Sequence, residues 1–224
     1  MKSGVIGVVN GEFDKIPSFE RSVETDHGEV KQCVEIRDEF RLSDGHLAQF
    51  GRVARQTFEE EESVQIQDGT IGTFRDRSRA TEYTEFLTIS GEFVIVASGN
   101  GSFAYDLIGE RTDTNIERGN IDLQAFFSEH TDGDYWQVGF YNSATEAENG
   151  VIYGDNVFDD PDVGATLELS DINQLGVTYA YQDQKIKTTL TESGYINIYD
   201  PGSYESDDFL SYFQEEIASF VSVL

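Results

Sequence analysis

Residues 81–108 read TEYTEFLTI, SG, EFVIVAS, GNG, SFAYDLI in unbroken succession. Three apolar or alternating runs, parted only by Ser90-Gly91 and by Gly99-Asn100-Gly101, predict a meander of hairpins, because each interruption is just long enough to reverse a strand. The glycines of Ser98-Gly99-Asn100-Gly101-Ser102 then serve a hairpin loop. A phosphate cradle would need a lysine and the free amides of a helix amino terminus, and on this reading another strand follows.

Working outward, Val30, Val34, Ile36, Phe40 and Leu42 alternate as one face of a half-buried strand. Leu47, Phe50, Ala54 and Phe58 recur at helical spacing, which predicts a helix capped by Ser43 or Asp44, with Glu59 to Glu62 as its solvated exit. Beyond the meander, Ile121, Leu123, Phe126 and Phe127 form the apolar side of a short helix over 120–130. YWQVGFY, from Tyr135, reads as a strand, and the acidic stretch 155–162 has no regular pattern. LGVTYAY, KIKTTLT and YINIY make a second meander. A terminal helix follows, with Phe209, Phe213, Ile217, Phe220 and Leu224 as its stripe and Asp207 and Asp208 in its positive first turn.

The expected fold class is therefore α+β: antiparallel sheet meanders with packed helices. Residues 30–130 and 135–224 both read as a leading strand, an intervening region, a three-strand meander and a closing helix. The chain divides accordingly into lobes 1–130 and 131–224, as a duplication or as one continuous domain. That order resembles the two-lobed arrangement of TATA-box-binding-protein-like folds, in which each lobe carries a curved antiparallel sheet backed by helices. The resemblance lies in element order; the paired intercalating phenylalanines are missing, and it transfers no functional residue.

Acids dominate the composition. Of 224 residues, 43 are Asp or Glu against 15 Lys or Arg, a formal charge of −28. The acids are spread among Val, Ile, Phe and Tyr in periodic patterns, so the charge decorates a folded surface instead of forming a tail. With 16 Phe, 11 Tyr and 3 Pro, the chain can bury a core and departs from the composition of disordered acidic chains. Self-repulsion on this scale opposes compaction in dilute salt, but the Debye length falls to about 3 Å at molar salt. Lysine occurs only at Lys2, Lys15, Lys31, Lys185 and Lys187. These features predict a halophilic archaeon, or a virus infecting one, as the source. No run reaches the roughly 20 apolar residues of a membrane span, and Val5 to Val9 is too short for a signal-peptide core, so a cytoplasmic location is expected.

Few residues point to chemistry. Cys33 is the single cysteine, and His27, His46 and His130 stand far apart with no metal-ligand spacing. There is no G-x-S-x-G elbow. Asp155, Asp159, Asp160 and Asp162 crowd one segment, yet the third spaced acid and the distal glutamate of a calcium loop are lacking, so a solvated acidic loop is expected. No cofactor and no metal site are expected. The one unusual cluster is Arg75, Arg77 and Arg79 in TFRDRSRAT. In an extended segment the three share a face and could grip phosphates or a partner's carboxylates; alternatively they pair with Glu59 to Glu62.

Three function classes follow. The leading one is a non-catalytic binding or assembly protein, working through a sheet surface and acting as a nucleic-acid-associated regulator, with nucleic acid or an acidic protein as partner through Arg75, Arg77 and Arg79. The others are a structural, self-associating subunit of a viral or cellular assembly and a carboxylate-dependent hydrolase.

Overall fold

The computed structural model of the chain describes residues 1–143, 148–167 and 169–223. The chain begins with an apolar strand, β1 (Ser3–Asn10), followed by β2 (Phe19–Thr25), β3 (Gly28–Arg41), β4 (Leu47–Gln67), β5 (Thr70–Ile89) and β6 (Phe93–Val96). Helix α1 (Phe103–Thr112), β7 (Asn115–Arg118), β8 (Asn120–Ile121) and α2 (Leu123–Glu129) complete the first half. The second half holds β9 (Asp134–Tyr141), β10 (Gly150–Tyr153), α3 (Pro161–Leu167), β11 (Asp171–Tyr181), β12 (Gln184–Thr191), β13 (Tyr195–Asp200), α4 (Ser206–Tyr212) and β14 (Val221–Ser222).

These elements correct the expected α+β class. One 12-stranded antiparallel sheet dominates, in the order β10-β9-β11-β12-β13-β1-β6-β5-β4-β3-β2 with β7 also on β1, while β8 and β14 pair apart. The helices are short, and the architecture is mainly β. Nor do two similar lobes repeat a strand-helix-meander-helix order. β1 lies in the middle of the sheet, paired with β13 on one side and with β6 on the other, so hydrogen bonding runs unbroken from one half to the other.

Two local misreadings underlie the correction. The helix expected over 47–58 is the start of β4, which pairs with β5 from Ala48↔Ile89 to Gln67↔Thr70 without a bulge. Leu47, Phe50, Ala54 and Phe58 fit a helix period, but this strand is covered on both faces near its base. Ala48 and Phe50 join one core and Val53 the other, and that blurs the period-two signal. The expected third strand, SFAYDLI, is α1. Ser98 leads into a 3-10 turn over Gly99–Ser102, where Gly101 lies so close to Thr84 that an added Cβ would come within 2.4 Å of its Oγ1. The chain rises off the sheet there instead of turning back along it.

The core lies on both sides of the sheet. One cluster packs Phe126 of α2 and Phe209, Leu210 and Tyr212 of α4, with Phe213 and Ile217 beyond it, against Leu175, Val177, Ile186, Leu190 and Ile196. It reaches Leu42 and Leu87 in the first half. The second cluster, on the opposite face, seats α1 through Phe103, Ala104, Tyr105, Leu107 and Ile108 on Val5, Val53, Phe86 and Val94. Around β1, β6 and the bases of β4 and β5 the sheet is thus covered on both faces.

Candidate functional site

On the face that α1 covers in the first half, the sheet continues across β13, β12, β11, β9 and β10 with no helix over it among the described residues. Strand alternation fixes what this face shows. Ile186, Leu190, Ile196 and Ile198 point to the core, so Lys185, Lys187, Thr189 and Thr191 of β12, and Tyr195 and Asn197 of β13, point outward. Gln174, Gly176, Thr178 and Ala180 are the outward set of β11. Register extends it to Gln137, Gly139 and Tyr141 of β9 and to Val151 and Tyr153 of β10. None of these residues is Asp or Glu, in a chain with 43 acids. Among the described residues, carboxylates return at the strand ends, as Asp134, Asp171, Glu192 and Asp200, the last directly opposite Lys187.

Two β-bulges aim aromatic rings onto this face. The β9–β11 register passes from Gln137↔Gly176 to Tyr135↔Val177, leaving Trp136 as the extra residue. The β12–β13 register passes from Lys187↔Asp200 to Thr188↔Ile198, leaving Tyr199 as the extra residue. An unpaired bulge residue is free to redirect its side chain, and here both converge: the Trp136 and Tyr199 rings meet edge to face with centroids 5.9 Å apart. Trp136 lies over Gly176, where a Cβ would come within 2.8 Å of the indole. Lys187 Nζ sits 4.7 Å from the indole centroid, a cation–π contact.

With Gln137, Tyr153, Gln174 and Lys187 these rings line a depression of about 480 Å³. The Gln137 amide donates to the Tyr153 hydroxyl at 3.2 Å. Tyr153 and Tyr199 keep 67% and 51% of their surface exposed, so both rings offer a face to a ligand. Trp136 Nε1 and Thr189 Oγ1 are shielded from solvent without a hydrogen-bond partner within the protein. Gln174 also lines a second depression of about 690 Å³, which runs past Tyr141, Val151 and Thr191 to Glu192. The Tyr141 hydroxyl donates to Glu192 at 3.1 Å. The two depressions make one groove across the strands.

The arginines singled out in the sequence lie elsewhere. Arg75, Arg77 and Arg79 share one face of β5 on an exposed arm formed with β4, where their cross-strand neighbours are Glu62, Glu60 and Phe58. Arg77 pairs with Glu60 and reaches His27 Nδ1 at 2.7 Å. Arg79 donates to the Glu29 carbonyl at 2.9 Å and lies over the Phe58 ring. The structure does not bring this cluster to the groove.

Other candidates resolve into structural contacts. His46 lies between Asp44 and Glu92, and His130 against Glu216. Cys33 is half-buried on β3; burial first, then Glu20 and Glu35, push its thiol up from the ordinary value, which disfavours the thiolate. The Gly99–Ser102 turn does precede a helix, contrary to expectation, but α1 has Asp106 in its first turn and no lysine, which opposes a phosphate there. Asp155, Asp159 and Asp160 flank a 3-10 turn and the start of α3, not an irregular loop; the side chain of Asp162 lies outside the described residues. Among the described residues no three His, Cys, Asp or Glu side chains gather as a metal site, and no Asp or Glu is buried.

No protein-family model matches the sequence, and comparison with curated proteins and with solved structures returns no match. None of the helices among the described residues is long and apolar enough to cross a membrane.

The groove was missed in the sequence because its residues are dispersed over five strands. A usable signal exists, though: in LGVTYAY, KIKTTLT and YINIY, the positions alternating with the core set hold no acid.

Proposed function

We propose that this chain is a non-catalytic, cytoplasmic nucleic-acid-binding protein of a halophilic archaeon or its virus, and that the bare sheet face holds single-stranded nucleic acid. The observation that carries the reading is that, in a chain with net charge −28, the depression around Trp136 is lined by no acid and the adjoining one by a single acid, Glu192 at its far end. A phosphate backbone is repelled by carboxylates, so a polyanion binder in an acid-coated protein must clear them from its site. A sugar-binding groove gains from carboxylate acceptors and has no such need.

The residues present suit unstacked bases. Base–aromatic stacking contributes about 1–3 kcal/mol per base and tolerates any sequence, and Tyr153, Tyr199 and Trp136 supply rings within one depression. Gln137, Gln174, Asn197 and Thr178 offer donors and acceptors to base edges, and Lys185 and Lys187 offer charge to phosphates. At molar salt counterion release contributes little, so a binder there depends on stacking and hydrogen bonds.

Trp136 is the single tryptophan, so its fluorescence reports the site without a label. Titration with a mixed-sequence single-stranded oligonucleotide in molar KCl should quench it, and a matched duplex should not. Tyr153→Ala and Tyr199→Ala should each weaken binding by about 5- to 150-fold, the equivalent of one stacked base. The logarithmic salt slope should be near −1.4 if both lysines neutralise phosphates. Absence of quenching, or affinity unchanged in both tyrosine variants, removes the reading; quenching by neutral oligosaccharides alone would replace the ligand class.

A further inference from the structure

The β4–β5 hairpin outruns its neighbours. β3 pairs with β4 no further than Gln32↔Arg55, and β6 pairs with β5 only from Phe86 inward. The turn of the β2–β3 hairpin leans on the base of the arm, with His27 edge-on to Phe58 at 6.1 Å. Past the Glu59↔Ser78 row both edges are unpaired, and the ribbon runs about 30 Å at 3.4 Å per residue to a turn at Asp68-Gly69, both with positive φ (49° and 77°). An isolated two-stranded ribbon is marginal in water, and open edges invite pairing. Yet this tip carries Val64, Ile66 and Ile71 at 64%, 77% and 75% exposure.

The two faces of the arm differ. One presents Glu59, Glu61 and Asp76, with Phe74 beyond them. The other presents, from tip to base, Ile66↔Ile71, Val64↔Thr73, Glu62↔Arg75, Glu60↔Arg77 and Phe58↔Arg79. On this second face all the acids lie on β4 and all the cations on β5, with two carboxylates against three guanidinium groups. Surfaces of two strongly acidic copies can meet only where local charge is not negative, and here it is not.

We infer that this face docks on the same face of a second copy of the chain. A two-fold axis parallel to the arm lays β4 of one copy over β5 of the other. That sets Glu62 over Arg75, Glu60 over Arg77 and Ile66 over Ile71 in both directions, a closed isologous contact. An axis across the arm would instead set acid on acid. The apolar tip supplies affinity, and the charge ladder sets register and orientation. Arg77 thereby acts between copies as well as within one, and Arg75 acts between copies.

Sedimentation velocity tests this independently of nucleic acid, at the lowest salt that keeps the fold. Wild type should sediment as two chains, and Ile66→Asp/Ile71→Asp as one with an unchanged thermal melt, since the tip touches no core residue. Glu60→Arg/Glu62→Arg and Arg75→Glu/Arg77→Glu should each remain single alone and recover the mass of two chains when mixed. A single-chain wild type at all concentrations, a dimer that survives the tip variant, or a mixture that stays single would each overturn the inference.

Discussion

His130 shows what one titratable side chain contributes when it is largely enclosed. Its Nε2 lies 3.1 Å from Glu216 and its Nδ1 2.9 Å from the Phe126 carbonyl, while the ring stacks on Phe126. Burial opposes the charged ring, but the Glu216 hydrogen bond, the Phe126 carbonyl and the charges of Glu216 and Glu129 outweigh it and hold the pKa above the ordinary histidine value. A raised folded-state pKa stabilises the fold below the unfolded-state value, and that contribution is lost as pH rises through the folded-state pKa. Glu216→Gln should therefore destabilise by about 1–3 kcal/mol near pH 5.5 and by less near pH 9. Chemical denaturation at the two pH values reads the difference, and a gap independent of pH would mean the pair carries no charge. None of this was visible in the sequence, because His130 and Glu216 are joined only when α2 and the segment after α4 meet on the sheet. The Arg77–Glu60 pair was partly legible, since alternation alone puts Arg75, Arg77 and Arg79 on one face and the acid run lies nearby.

At the scale of elements, legibility tracked how many faces of a strand are buried. β11, β12 and β13 bury one face and show the other, so alternation in LGVTYAY, KIKTTLT and YINIY located them, and the turns at Gln182-Asp183 and Ser193-Gly194 closed them. β1 and β4 have core on both faces near the sheet centre, so their pattern is ambiguous, and in β4 the chance helical spacing of Leu47, Phe50, Ala54 and Phe58 hid the strand. The start of the terminal helix was legible as an apolar stripe with acids in its first turn, although α4 ends at Tyr212, Phe213 and Ile217 lie in a π-helical turn and Phe220 in a 3-10 turn, and Leu224 lies outside the described residues. In the structure Glu205 and Asp208 form a reciprocal capping box, and Phe209, Leu210, Tyr212, Phe213 and Ile217 are fully buried. Tyr212 also exchanges a 2.7 Å hydroxyl hydrogen bond with Tyr179 of β11. Phe209→Ala should cost about 3–5 kcal/mol, and removal of 206–224 should leave an aggregating chain. A truncated chain that remains soluble with its melt unchanged would show that the sheet does not need this cover.

For the whole molecule, the distribution of charge is more informative than its total. An excess of 28 negative charges on a folded surface repels itself, and the repulsion extends about 10 Å at 0.1 M salt but about 3 Å at 1 M. Unfolding spreads the charges apart, so withdrawing salt should favour the unfolded chain. Each kcal/mol of relieved repulsion should move the melting temperature by about 2–4 °C in a chain of this size, so several kcal/mol would raise it by about 10 °C between dilute and molar KCl. Salt also strengthens apolar burial when its anion is excluded from the surface, as sulfate is, and this second effect must be separated from screening. Screening depends on ionic strength and saturates once the Debye length falls below the spacing of neighbouring charges. Exclusion keeps growing with concentration and depends on the anion. The expected melt therefore rises steeply in KCl below molar concentration and then levels, with NaCl following the same curve. A melting temperature that is flat in KCl and climbs only in sulfate would assign the salt response to burial, and the −28 charge would then say nothing about where this protein works.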